Sequence, residues 1–209
     1  MANTGKRSYA SAHRDAAADR TRAKVLDAGR FLFSRKGIDA TTIAQIAERA
    51  GVSEATVYAT VKSKSGLLNA LMRGAMFGPR FQAAQQRLAG VEDAVQRIAL
   101  TAEVARAIYE GQSADLSLLI KASAFSPELR KTQQAFEALR REMQQARIDA
   151  LFRAGRARPG LDPDTAATLM WLYTAREIYT KLVHESGWTP DRYETWLRQT
   201  LLAALTDGG

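Results

Sequence analysis

The sequence predicts an all-α fold, and three observations carry that expectation. No alternating strand pattern persists anywhere in its 209 residues. Helix-opening caps recur instead: Thr42 with Gln45 three residues on, Ser53, and the pairs Asp162-Pro163 and Thr189-Pro190, where a cap precedes proline at the first helical position. Between these signals, apolar residues return at three- and four-residue spacing, the period of a helix with one face turned inward.

The elements follow in order. Residues 1–19 are rich in Ala, Ser and charge, with little periodicity, and read as a flexible basic arm carrying Lys6, Arg7 and Arg14. A first helix is expected over 20–36, burying Val25, Gly29, Leu32 and Phe33. Arg35 and Lys36 complement its dipole and Gly37 ends it. The stretch 41–64, TTIAQIAERAGVSEATVYATVKSK, then reads as two short helices joined by a tight turn. The Thr42–Gln45 capping box opens the first, whose Ile43, Ile46, Ala47 and Ala50 form one stripe. Gly51 supplies the left-handed conformation that turns the chain, and Ser53 caps the second helix. Val57 and Val61 face the core, leaving Glu54, Ala55, Thr56, Tyr58 and Thr60 outward. That is a helix-turn-helix, whose second helix can enter the major groove of double-stranded DNA. A plain helical hairpin would share the caps, but the outward face is poor in solvating carboxylates.

A further helix is expected from 63 to about 78, with Leu67, Leu68 and Leu71 inward, and others over 81–88, 92–109, 114–124, 127–154, 163–185 and 190–205. The helix from Pro163 is apolar nearly all round, so more than one of its sides must be covered. The expected domains are the arm 1–19, a DNA-binding domain over 20–66 and a helical body over 67–209.

Net charge is +8, and the first 64 residues hold twelve bases against six acids, which is +6 of that total. A basic N-terminal end on a nearly neutral body suits phosphate binding. Cysteine is absent, which excludes thiol chemistry and a disulfide framework. Paired catalytic groups, a glycine-rich phosphate loop and a metal-ligand cluster are also not evident, so neither an enzyme, a metal nor a cofactor is expected. No apolar run approaches the ~18 residues of a membrane span, and the expected setting is the cytoplasm. A scaffold using its basic end on anionic lipid is the other reading of the charge.

The run over 25–71, VLDAGRFLFSRKGIDATTIAQIAERAGVSEATVYATVKSKSGLLNAL, resembles the N-terminal domain of tetracycline-repressor-type (TetR family) regulators: a GhxxxT-like entry, an IA…AGVS core, a TxY segment and an SK start to the next helix. Val61 and Ala59 depart from the bulkier residues common in that family. The resemblance gives Thr42, Ser53, Thr56, Tyr58 and Lys64 to the DNA backbone. Glu54, Ala55 and Thr60 are the candidates for base edges, since a carboxylate accepts from cytosine N4 and a methyl touches thymine. It implies a homodimer on a palindromic operator, joined through the last two helices; the candidate interface is Trp171, Ile178, Tyr193, Trp196, Leu197 and Leu201. A small-molecule effector would enter the helical body, with Phe77, Phe81, Tyr109, Phe125, Trp171, Tyr173 and Arg176 as candidate lining residues. The function implied is a ligand-released repressor; an activator or effector-independent regulator of the same fold is the alternative.

Overall fold

The computed structural model describes residues 4–110 and 127–208, the stretch 4–14 as backbone only. It is helical, with no strand among the described residues. The chain divides into two compact units, the first holding residues up to Arg73 and the short stretch 127–130.

In the first unit α1 spans Thr4–Lys36. It starts well before residue 20, so backbone expected as an arm is helix; from Lys6 to Ala28 no glycine or proline interrupts a run of strong helix formers. Val25, Ala28, Leu32 and Phe33 are its buried stripe. Next come α2 (Ile43–Ala50), α3 (Glu54–Val61) and α4 (Lys64–Met76). The capping box of α2 is formed on both sides: Thr42 Oγ1 accepts from Gln45 N and Gln45 Oε1 accepts from Thr42 N, each at 3.2 Å. Gly51 is left-handed at φ 67° and ends α2, and Ser53 Oγ accepts from Thr56 N at 3.1 Å to open α3. Ile46, Val57, Leu67, Leu68 and Met72 are essentially sealed from solvent and form the core on which these helices meet.

The second unit comprises α5 (Pro79–Ala89), α6 (Ala94–Glu110), most of α7 (Pro127–Arg153), α8 (Pro163–Tyr173), α9 (Arg176–Tyr179) and α10 (Pro190–Leu205). The caps of α8 and α10 form as expected, with Asp162 accepting from Thr165 N and Thr189 from Arg192 N. α10 packs along α6 and α8, and Arg106 pins it by reaching Asp191 at 2.5 Å and Glu194 at 3.0 Å while also holding Glu110. The helix expected unbroken over 163–185 is interrupted at Thr174–Ala175. α9 then passes into a π-helical turn over Thr180–Glu185. The break exposes the Thr174 carbonyl to Tyr109 and Arg140, which both donate to it. The helix expected over 114–124 lies outside the described residues; among those described, no helix is long and apolar enough to cross a membrane.

Candidate functional site

The outer face of α3 presents Glu54, Ala55, Tyr58 and Ala59 to solvent, with Tyr58 half exposed. Thr56 and Thr60 sit lower. The Thr60 hydroxyl donates back to Thr56 O at 2.7 Å, so toward a base it offers its methyl and lone pairs rather than a proton. The Ser53 hydroxyl is shared between Thr56 N and Thr56 Oγ1, and Thr42 is engaged in its capping box, so both sites put helix-terminal amides and a hydroxyl at one surface. Lys64 is half-buried: its ammonium donates to Thr41 O at 3.2 Å and Asp39 O at 3.4 Å. That clamps the loop before α2 onto the start of α4 and leaves one donor for an outside partner.

α3 itself carries one acid and no base, so attraction for phosphate must come from its flanks. Sequence reasoning passed over two such residues. Arg22 of α1 donates to Thr60 O at 3.2 Å, which brings a guanidinium to the rim of the α3 face. Lys62 follows α3 directly and is exposed. Both belong to the basic excess of the first 64 residues, which was the available signal.

In the second unit a cavity opens between α6 and α7. Val104, Ala105 and Ile108 of α6 and Met143 of α7 form its apolar wall; Thr101, Tyr109, Arg140, Gln144, Arg147 and Thr174 supply polar groups. Its free volume is about 20 Å³, room for about one water. The Tyr109 hydroxyl donates to Thr174 O at 2.8 Å, and burial pushes its pKa up against the opposing influence of Arg140. Arg140 is nearly sealed from solvent and donates to Glu137, Thr174 Oγ1 and Thr174 O. Of the expected lining residues, Tyr109 borders this cavity. Phe77 instead packs on Phe81 and Phe136 at centroid distances of 5.1 and 5.4 Å. Trp171 lies beneath the Arg141 guanidinium, 4.1 Å away, and donates its indole N–H to Glu137. Tyr173 and Arg176 are half-buried and do not border it, and Phe125 lies outside the described residues. The polar stripe Arg140, Gln144 and Arg147 was missed, although it shares a helical face with buried Phe136, Ile148 and Leu151.

A family profile described as bacterial regulatory proteins of the tetR family matches residues 25–71, the span from the buried stripe of α1 into α4. Over that span the chain is similar to the tetR family. Over 52 residues it is 48% identical to an HTH-type transcriptional regulator of Bacillus subtilis (strain 168), YvkB, the match spanning 25% of this chain and 28% of that protein. In overall fold it is similar to NalD of Pseudomonas aeruginosa, the secondary repressor of the MexAB-OprM multidrug efflux pump. That likeness has TM-score 0.66 at 22% identity and covers 91% of this chain and 98% of the other. A transcriptional regulator from Saccharomonospora viridis in complex with choline is similar at TM-score 0.66 and 19% identity, over 88% of this chain and 97% of the other.

The expected interface residues fall into two groups. Tyr193, Leu197 and Leu201 are wholly enclosed by the chain's own core, so they have no surface to give a partner. Their spacing on α10 is that of the face turned onto α6 and α8. Trp171, Ile178 and Trp196 keep part of their surface open, and Leu172 of α8 is 47% exposed beside the sealed Met170.

Proposed function

We propose that this chain is a homodimeric transcriptional repressor that binds a palindromic operator through α3 and leaves it when a small molecule enters the α6–α7 cavity. The observation that carries the reading is the α3 face: small or flat side chains outward, capped amides at its start, and Arg22, Lys62 and Lys64 around it. Phosphate contacts would position the helix, and Glu54, Ala55 and the Thr60 methyl would meet base edges. One such unit reads a half-site, which favours a dimer on two half-sites about one helical turn, ~34–36 Å, apart. The half-open Leu172 and Trp196 on α8 and α10 are the apolar surface best placed to join the copies. Ligand binding in the second unit would lower operator affinity through a coupling free energy between the two sites. The ligand complexes of similar folds, choline among them, support a ligand-taking body.

The test is a titration of the protein onto DNA from its own upstream region and onto random DNA, across a salt series. Preference for a palindrome-containing fragment, with two protomers per site, is the expected outcome. Equal, salt-fragile binding to both would overturn the operator reading and leave only a basic surface.

A further inference from the structure

Arg147 is 4% exposed and lines the α6–α7 cavity, yet no described carboxylate pairs with it. Among the described residues its guanidinium finds only neutral acceptors at long range: Thr101 Oγ1 at 3.3 Å and Gln85 Oε1 at 3.4 Å. A second cation makes the shortage worse. Arg97 lies close enough on α6 to depress Arg147, its Nε is buried without a hydrogen-bond partner, and among the described residues it has no ion pair. A sealed, unpaired cation is costly unless something pairs with it. Burial first, and then the Arg97 charge, pull the Arg147 pKa down to about 10, which still leaves it charged at neutral pH.

A second orphan lies in the same wall. The Thr174 hydroxyl gives its proton to Met170 O at 2.7 Å, so it can only accept from Gln144 and Arg140. That fixes the Gln144 amide with Nε2 toward Thr174 and leaves its buried Oε1 unpartnered. Polar stripes inside a helical body are ordinarily closed networks; this one is open at Arg147 and at Gln144.

We propose that the α6–α7 cavity binds a small organic anion, its acid group pairing with Arg147 and its apolar part lying against Val104, Ile108 and Met143. This deepens the effector reading above by naming the ligand's chemical class. The cavity as it stands has room for about one water, so the ligand enters by parting α6 from α7. The acid group relieves the Arg147 charge only in that opened state. That difference between the two states is what lets binding shift a conformational equilibrium. The choline complex of a similar fold sets no precedent for charge here, because at 19% identity the likeness is one of fold.

The experiment is thermal melting of the full-length protein without DNA, at constant ionic strength. Butyrate is compared with butanol, and benzoate with benzyl alcohol, each at millimolar concentration against added sodium chloride. The acids should raise Tm by about 2–4 °C and the alcohols should not. Absence of a shift with both acids, or an equal shift with the alcohols, overturns the proposal. Arg147→Met should lose the acid shift while melting no lower than wild type without ligand; a lower melting point with the shift retained overturns it. If that variant does not fold, Arg97→Gln replaces it and should weaken the acid shift several-fold; an undiminished shift would count against the site. DNA release is scored separately. A protein that is stabilised by acids yet keeps its DNA refutes the effector-release reading and leaves the anion site standing. Operator binding with no acid shift refutes the anion site and leaves the DNA-binding reading standing.

Discussion

Lys62 is the described non-glycine residue with a positive φ, at φ 63° and ψ −36°. Ser63 N donates to Val61 O at 2.7 Å, closing a three-residue turn on Lys62. A side chain there is strained by roughly 1–2 kcal/mol, partly offset because glycine loses more freedom on folding. Lys62→Gly should therefore raise Tm by about 1–4 °C while weakening DNA binding and flattening its salt dependence by about one unit of slope. A fall in Tm would show that the turn is unstrained. Unchanged salt dependence would place the Lys62 charge away from phosphate. Gly66 sits four residues on, with its N–H capped by Ser63 Oγ at 2.9 Å. A Cβ there would lie 1.9 Å from Val61 O, and a backbone oxygen cannot rotate away. Gly66→Ala should cost on the order of 3 kcal/mol, seen as a marked drop in Tm. At Gly29 the same clash, 2.4 Å, is with the end of the Leu67 side chain, which can turn. Gly29→Ala should thus be the milder of the two, and a reversed order would refute the packing argument.

At the scale of the element, what could be read in advance tracks how local the determining interaction is. The caps of α2, α3, α8 and α10 each depend on residues three positions apart, so Thr42–Gln45, Ser53, Asp162-Pro163 and Thr189-Pro190 were legible from spacing alone. The start of α1 was not, because its first turns have no apolar stripe and only propensity argues for them. Nor was the break at Thr174: the sequence YTARE holds no glycine or proline, and what stabilises an open carbonyl there are Tyr109 and Arg140, donors 65 and 34 residues away. The cavity was hidden for the same reason, since its polar lining meets only when α6 and α7 pack, and of the expected aromatic residues that are described Tyr109 borders it while Phe77, Phe81 and Trp171 pack elsewhere. Thr174→Val tests this cluster. It keeps the shape but removes the only hydrogen bond that the buried Gln144 amide nitrogen makes among the described residues, and one of Arg140's. An unsatisfied buried group costs about 1–3 kcal/mol, so Tm should fall by about 2–10 °C by calorimetry. A neutral result would mean that water replaces the hydroxyl as the partner of Gln144 and Arg140.

For the whole molecule, the asymmetry of charge and the apolar surface of the second unit point to different partners. The basic end has to meet phosphate over two half-sites at once if affinity and specificity are to exceed those of one eight-residue helix, and a single α3 brings no cation of its own. Linking two copies supplies that gain without new base contacts, because the second half-site is then bound at high effective concentration. A dimer of this kind needs about 800 Å² from each partner, centred on a few anchors rather than spread evenly. Since Tyr193, Leu197 and Leu201 are spent on the chain's own core, the anchors must be apolar side chains left partly open, among them the exposed Leu172 on α8 and the part-open Trp196 on α10. Leu172→Glu and Trp196→Glu each place a charge where a partner would have to desolvate it. Either should convert the protein to monomers by light scattering while leaving its helical content intact by circular dichroism. Affinity for a palindromic fragment should then fall at least about tenfold, with affinity for an isolated half-site unchanged. Dimers that persist through both substitutions would move the interface off α8 and α10, and with it the expectation that the last two helices join the copies.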